Sequence, residues 1–393
     1  MNISPEFRLL LLACRLVDVG PVVDEACKII NGNRIDWKDL YERACFHRVE
    51  PQLAALFEKL PPSSMVPADI SEKLKSSVHA NLVGQIRYVA EFFRIKDWLD
   101  EYNIPVVPYK GFWLGEAMYG NLADRISSDI DLFIDYNDLE KIKQIMTGKG
   151  YTGHASLEEL TEEYIKGDLA EYNFDRYEEG VCQAHVEFHW RSAMSFYRMG
   201  VTIDDLKPQI TTGVLQGRDL KVFSSAANLL LVVMHHGGKE CYLQMRQVLD
   251  IAHLLRRSPD LDTDWLLQQS AKFHVTTLLL TGVRLAVMLT GVAVPTSLAS
   301  HITEQRSGKP IGNVNGYRID RFAAGRTRLM AKPLDELVAY KYRLKSWAFK
   351  IKSRDGVAVK ASLTGYTLRK IIAPGLVPEK LRHHFFNRNI RRR

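Results

Sequence analysis

The segment 107-VPYKGFWLGEAMYGNLADRISSDIDLFID-135 decides the fold of this chain. Asp129 and Asp131 are separated by one residue and run into the apolar stretch that ends at Ile134. The alternation predicts a β-strand, because successive side chains of a strand point to opposite faces. The two aspartates are therefore expected on one face and the aliphatic side chains on the other. Two carboxylates this close on a buried face require a positive partner.

A divalent cation is the partner that this pair favours. Mg²⁺ and Mn²⁺ prefer oxygen ligands and would relieve both the repulsion and the desolvation of the acids. Residues 181–190 form a second predicted strand, in which Glu187 is the only acid and shares a face with His185 and His189. If the two strands pair, Asp129, Asp131 and Glu187 converge as catalytic residues and metal ligands. Three acids suffice for two metal ions and phosphoryl transfer.

A phosphate-binding turn is predicted just upstream of the aspartates. Residues 104–109 read as a strand and 112–119 as a short helix, so Lys110 and Gly111 lie between the sheet and a helix N-terminus. Gly111 allows a phosphate to approach the backbone, and Lys110 supplies positive charge. Arg125 either contacts phosphate or pairs with the acids, and Ser128 is a candidate hydrogen-bond donor to phosphate. These four residues are the predicted nucleotide-binding set.

The hydrophobic periodicity predicts an α+β fold. Residues 5–100 show helical spacing with a break near 49–51, and residues 226–257 are helical with a break at Gly237-Gly238. Between them lie strands, short helices and a hairpin that turns at 178–180. We therefore predict an N-terminal helical region (1–102), a small α/β core (103–222) and a C-terminal helical region with a basic tail (223–393). On the helical stretch 226–257, Arg246 and Asp250 stand four residues apart and are expected to pair, and together with His236 they either contact the base or ribose of a nucleotide or join an interhelical polar network.

The composition is that of an ordinary globular protein. Apolar residues make up 46% and charged residues 25% of the 393 positions. No apolar run approaches the ~20 residues of a membrane-spanning helix, so no transmembrane segment is expected. Five scattered cysteines without a C-x-x-C motif indicate reduced thiols and a cytoplasmic location. The spacing of His185, His189, His235 and His236 fits no common zinc pattern.

Positive charge is concentrated at the C-terminus. Residues 341–393 contain 7 Lys and 8 Arg against Asp355 and Glu379, a net charge of +13 within a total of +7. Such a tail suits a polyanion or an anionic membrane surface; the alternative is a solvated basic helix face with a frayed end. If the tail serves a nucleic-acid-modifying activity, deletion of residues 380–393 weakens polyanion binding and flattens its salt dependence.

These motifs resemble the polymerase-β-like nucleotidyltransferase superfamily. The shared core is a strand, a small-residue turn, a helix and then R-x-x-S-D-I-D-L-F-I. Within it, the chain resembles the bacterial family of uncharacterised nucleotidyltransferases over residues 35–260. The stretches that carry the resemblance are 46-FHRVEPQLAALF-57, 109-YKGFWLGEAMYGN-121, 125-RISSDIDLFI-134, 185-HVEFHWR-191 and 235-HHGGKECYLQMRQVLDIAHLL-255.

The resemblance implies roles for individual residues. Asp129 and Asp131 match the metal-binding pair of the superfamily, Glu187 matches its third carboxylate, and Gly111 matches the second position of its Gly-Gly/Ser signature. The chain departs from the signature at Lys110, where the first Gly usually stands, and at Phe112, where a small or hydroxyl residue is common. Either Lys110 replaces the missing phosphate ligand, or triphosphate binding is weak.

The expected function is that of a Mg²⁺-dependent nucleotidyltransferase. It would move an NMP from an NTP to an unidentified hydroxyl or phosphate acceptor. The departures at Lys110 and Phe112 motivate an alternative, a catalytically silent relative that binds nucleotide or acts as an interaction module. The resemblance implies a biosynthetic setting of polysaccharide or peptide tailoring for either reading.

Overall fold

The computed structural model of the chain describes residues 3–154, 162–299, 316–340 and 344–372. Helices dominate these ranges, and they surround one mixed five-stranded sheet and one separate two-stranded hairpin. The predicted α+β class is therefore confirmed. One extended hydrophobic core connects the N-terminal helices, the sheet and the C-terminal helices.

The N-terminal region consists of helices, as predicted. They are α1 (Pro5–Ala13), α2 (Val19–Gly32), α3 (Trp37–His47), α4 (Glu50–Phe57) and the 33-residue α5 (Ala68–Asp100). The predicted break near 49–51 exists because Arg48 adopts a left-handed conformation with φ 55° and ends α3. Pro51 then occupies the first turn of α4, where its missing N–H costs nothing.

The central sheet brings distant parts of the chain together. Its strands are β1 (Val107–Pro108), β2 (Ile130–Phe133), β3 (Thr152–Gly153), β4 (Glu171–Glu178) and β5 (Val181–His189), in the order β1-β2-β5-β4-β3. Strands β2 and β5 are parallel, and the other neighbours are antiparallel. Strand β2 is therefore an interior strand, and all four of its residues are buried.

The predicted hairpin around 178–180 is formed by β4 and β5. Its two-residue loop is Glu179-Gly180, with φ of 49° and 77°. Two positive φ values give the turn the twist that antiparallel strands require. The sequence did not predict β3 or the second hairpin, β6 (Ile210–Leu215) with β7 (Arg218–Phe223); β7 lies beside β1.

Helices follow and interrupt the sheet. Those within the core region are α6 (Gly111–Leu114), α7 (Leu139–Gly148), α8 (Glu162–Asp168) and α9 (Ile203–Leu206). The C-terminal region contains α10 (Ser225–Val233), α11 (Met245–Arg257), α12 (Thr263–Lys272) and α13 (Thr276–Thr290), then helices at Gly316–Met330, Leu334–Tyr340, Leu344–Lys352 and Val357–Ile372. Two segments have the wider π-helical winding, Gly115–Tyr119 after α6 and Met234–Lys239 after α10.

Other predictions concern the domain division, the thiols, membrane-spanning helices and the basic tail. The domain boundaries at 102–103 and 222–223 fall near the ends of α5 and β7, and the division itself stays a prediction. All five cysteines lie in the described ranges and are free thiols. Among the helices of the described ranges, none is long and apolar enough to cross a membrane. The end of the basic tail, residues 373–393, lies outside the described residues.

Candidate active site

The parallel pairing of β2 and β5 places two acids side by side. Asp131 and Glu187 are register partners, so their side chains are neighbours on one face of the sheet. The predicted pairing of these strands is thus confirmed. Asp129 directly precedes β2 and is half-buried, whereas Asp131 and Glu187 are buried. The Asp131, Glu187 and His189 side chains each offer one ligand atom within 4.8 Å of the others.

Two basic side chains contact Asp131 directly. Lys110 Nζ and His189 Nε2 both lie 2.9 Å from Asp131 Oδ1. Burial would raise the pKa of Asp131, but the Lys110 ammonium and the His189 hydrogen bond hold that pKa below its usual range. Burial would likewise lower the pKa of Lys110, and the charge of Asp131 outweighs burial and raises it. Lys110 is therefore charged in the site.

His189 lies among three buried acids. Its Nε2 is 3.5 Å from Glu187 Oε2 as well as in contact with Asp131, and its Nδ1 is 3.3 Å from Glu171 Oε2. Although burial lowers the pKa of this imidazole, the hydrogen bonds to Asp131 and Glu187 raise it overall. Glu171 also lies 3.8 Å from Lys239 Nζ. The sequence placed His189 on the face of Glu187 but did not predict its contact with Asp131.

The turn between β1 and α6 has an unusual backbone. Lys110 has φ 62° and ψ −137°, and Gly111 has φ 44°. A positive φ is easy for glycine and strained for lysine. The turn thus keeps a glycine-like shape at Lys110, the position where the resembled superfamily usually has Gly. A Cβ on Gly111 would lie 3.2 Å from the Asp129 carbonyl oxygen, so this glycine permits close approach to the acids.

Arg125 connects this turn to the C-terminal helices. Its Nη1 donates to the Gly111 carbonyl at 2.9 Å, while Nε and Nη2 donate to Asp250 Oδ1 and Oδ2 at 2.8 and 2.9 Å. The side chain is 2% exposed, and Asp250 on α11 is 0% exposed. Of the two roles predicted for Arg125, the structure places it in an ion pair, but with Asp250 rather than with the acids of β2.

Asp250 is the centre of a wider polar network. It also accepts hydrogen bonds from the Tyr119 hydroxyl at 2.8 Å and from His236 Nε2 at 2.8 Å, and Arg246 Nη1 lies 3.5 Å away. The predicted pairing of Arg246 and Asp250 is confirmed. Tyr119 and His236 both lie in the π-helical segments, a winding often found at functional sites.

Helix α5 anchors the segment that leads into β2. Asn81 Nδ2 donates to the Ala123 carbonyl at 2.8 Å, and Gln85 Nε2 donates to the Ser127 carbonyl at 3.0 Å. The sequence gave no role to these amides, although two polar residues one helical turn apart on a largely apolar helix face were a usable signal. Ser128 is half-buried within the anchored segment, next to Asp129.

The donor set of this cluster fits a hard divalent cation. Asp131 and Glu187 bring carboxylate oxygens together at the sheet, beside Asp129 and next to the imidazole of His189. Carboxylate oxygens are the ligands that Mg²⁺ and Mn²⁺ prefer. The residues present therefore fit the metal that the sequence predicts.

Comparisons with known proteins identify one family and several similar solved structures. Residues 33–291 match the model of a family described as "Uncharacterised nucleotidyltransferase". No curated protein matches the chain. Among solved structures, the chain is similar to ANT(2")-Ia in complex with adenylyl-2"-tobramycin, with 14% sequence identity and a TM-score of 0.33. This similarity covers 47% of the present chain and 95% of ANT(2")-Ia. It is also similar to the lincomycin-bound lincosamide antibiotic adenylyltransferase LnuA, with 17% identity, 42% and 94% covered and a TM-score of 0.29.

Proposed function

The chain belongs to the family of uncharacterised nucleotidyltransferases, and from this premise we propose that it transfers an NMP from an NTP to a hydroxyl or phosphate acceptor. An acceptor oxygen would attack the α-phosphorus, the bond to the β-phosphate oxygen would break, and pyrophosphate would leave. The observation that carries the proposal is the register pairing of Asp131 with Glu187. Asp129 directly precedes β2, and the Gly111 turn lies next to Asp129 and Asp131.

The acids have distinct proposed roles. Asp129, Asp131 and Glu187 would hold Mg²⁺ or Mn²⁺. We propose two ions, because three carboxylates can serve as ligands. The bound metal would neutralise phosphate charge and lower the pKa of the attacking group. Glu187, whose Oε1 lies 3.2 Å from His185 Nε2, would accept the proton of the acceptor hydroxyl.

The nucleotide-binding roles rest on the turn. Gly111 would present its backbone to the phosphates, with Ser128 as a hydroxyl donor beside Asp129. We propose that the Lys110 ammonium, which contacts Asp131, would also donate a hydrogen bond to a phosphate oxygen of the triphosphate. Arg125 would act through the Gly111 carbonyl that it holds, rather than on phosphate itself. A cytoplasmic location is proposed from the five free thiols.

Calorimetric binding of ATP, GTP, CTP and UTP tests the metal site before the acceptor is known. Each nucleotide is titrated with Mg²⁺, with Mn²⁺ and with EDTA into wild type and into the double variant Asp129→Asn/Asp131→Asn. We expect at least one NTP to bind with metal only, and this binding to be lost in the double variant. Asp135→Asn is the matched control, because Asp135 only caps the next turn through the Asn137 N–H, which asparagine can also do. Absence of NTP binding, or binding that ignores EDTA, would contradict the proposal.

One observation favours the silent relative as a second candidate. The Lys110 ammonium lies 2.9 Å from Asp131 Oδ1, so this carboxylate already has a cationic partner without a metal ion. Under this reading the chain would bind nucleotide or a partner in polysaccharide or peptide tailoring without turnover. Metal-dependent pyrophosphate release that Asp129→Asn abolishes would exclude it. Nucleotide binding that is insensitive to both EDTA and Asp129→Asn would support it.

A further inference from the structure

A second cluster of metal-ligating side chains lies on the outer part of the sheet. His154 follows β3, Asp175 lies on β4 and His185 lies on β5, so three successive strands of the sheet contribute one ligand each. One ligand atom from each residue lies within 4.8 Å of the other two. All three side chains are partly buried, with 33% exposure for His154 and 19% for the other two.

The backbone fixes these residues opposite one another. Asp175 and His185 are antiparallel register partners, and Thr152 is the register partner of Asp175 on the other side. The His154 N–H donates to the Asn173 carbonyl at 3.2 Å, which extends the pairing of β3 with β4 by one residue. The cluster is thus built on paired strands rather than on a loose surface loop.

The contacts within the cluster leave one imidazole nitrogen unexplained. Asp175 Oδ1 lies 2.5 Å from His185 Nδ1, and Asp175 Oδ2 accepts from the Tyr177 hydroxyl at 3.2 Å. His154 Nε2 faces Asp175 Oδ2 at 3.4 Å, is inaccessible to solvent and makes no hydrogen bond within the described residues. An ion bound between this ring nitrogen and the Asp175 carboxylate would satisfy both groups.

We propose that His154, Asp175 and His185 bind a borderline transition-metal ion of the Zn²⁺ class. Two imidazoles with one carboxylate suit Zn²⁺, whereas Mg²⁺ prefers an all-oxygen set. With metal–ligand distances of about 2.0–2.2 Å, tetrahedral ligand atoms stand roughly 3.3 Å apart. His154 Nε2 lies 3.4 Å from Asp175 Oδ2, close to this spacing, whereas His185 Nδ1 contacts the other oxygen, Oδ1, at 2.5 Å and would move away from it when an ion binds. The His154 and His185 rings meet at 65° with centroids 5.9 Å apart, so they converge edge to face instead of stacking.

The proposed ion would also reach the candidate active site through one side chain. When His185 binds metal through Nδ1, its Nε2 carries a proton and donates to Glu187 Oε1, 3.2 Å away. A carboxylate that accepts from a metal-bound imidazole is a common outer partner of such sites. The transition-metal site would therefore fix the orientation of Glu187. The metal-binding claim itself does not depend on the proposed nucleotidyl transfer.

Co²⁺ serves as the spectroscopic probe for this site. The full-length chain is stripped of metal, and Co²⁺ is titrated without nucleotide while the visible d–d absorption is recorded. We expect one tight equivalent in wild type and binding weakened roughly 100-fold or more in His154→Ala and in Asp175→Asn. His79→Ala is the matched control, since His79 is an exposed histidine on α5.

Asp131→Asn locates the bound ion, because the Asp131, Glu187 and His189 cluster is a rival site. Retention of the tight equivalent in Asp131→Asn supports the proposal, and its loss there with retention in His154→Ala overturns it. Absence of tight Co²⁺ binding in wild type also overturns it, and a protonated His185 bridging Asp175 and Glu187 then explains the contacts. Thermal unfolding gives a second readout: Zn²⁺ should raise the midpoint of wild type but not that of His154→Ala.

Discussion

The buried carboxylate of Asp250 is the centre of a polar network beside the candidate active site. It accepts two hydrogen bonds from Arg125 and one each from Tyr119 and His236, and it lies 3.5 Å from Arg246. We predict that Asp250→Ala destabilises the protein strongly. The substitution removes the counter-charge and leaves at least one guanidinium buried without compensation.

The magnitude follows from the burial of the pair. Removal of one partner of a fully buried ion pair costs about 3–5 kcal/mol. Unfolding entropy of ~2.1 cal/mol/K per residue gives about 0.8 kcal/mol/K for 393 residues, so the midpoint of thermal unfolding should fall by about 4–6 °C. The exposed pair of Asp97 and Arg218 provides the control, with 54% and 46% exposure. Asp97→Ala should cost less than ~1 kcal/mol, or about 1 °C.

Circular dichroism melts of wild type and the two variants at matched concentration measure this difference. Burial alone would raise the pKa of Asp250, but Arg125, His236 and Arg246 hold it well below its usual range. A carboxyl with a lowered folded-state pKa stabilises above its unfolded pKa and loses that contribution only as the pH falls through the folded value. The deficit of Asp250→Ala should therefore stay constant from about pH 5 to 8. A deficit no larger than that of Asp97→Ala would refute the reasoning.

Three further variants test the site and the core. Lys110→Gly should relieve the strained φ of 62° and remove the cation from Asp131, so Mn²⁺ binding should tighten in calorimetry while stability in EDTA falls. Gly111→Ala should weaken NTP binding and stability together, because its φ is 44° and its Cβ would lie 3.2 Å from a backbone carbonyl; equal NTP affinity would contradict this. Burial lowers the pKa of His47 to about 3, so stability should fall as the pH drops from about 6 towards 3, and denaturation of His47→Leu should show a flatter pH dependence.

The acids of the candidate site were predictable because their geometry is local. Alternation along a strand put Asp129 and Asp131 on one face, and the same rule singled out Glu187. The meeting of Asp131 with Glu187 required only one assumption, the pairing of two strands. The role of Asp250 was not predictable, because its contact with Arg125 spans 125 positions and no local pattern selects the partner.

Two other features escaped prediction for different physical reasons. In the hairpin of β6 and β7, three of the six β6 residues are exposed and only Leu215 is buried, so the apolar alternation of β6 is weak. His154 meets Asp175 and His185 only because β3 pairs with β4, and β3 has two residues. Strands this short carry no periodic signal, and their pairing is decided by tertiary packing.

The strained turn at Lys110 and Gly111 is connected by hydrogen bonds to the C-terminal helices. Lys110 and Gly111 both have positive φ, and a strained backbone persists only where its surroundings hold it. The Gly111 carbonyl is held by Arg125, and Arg125 is held by Asp250 on α11. The turn that faces the acids is therefore fixed by a helix that begins at Met245, long after the last strand of the sheet ends at His189. The family match ends at residue 291, so it includes α11 and with it Asp250, the last residue of this series of hydrogen bonds.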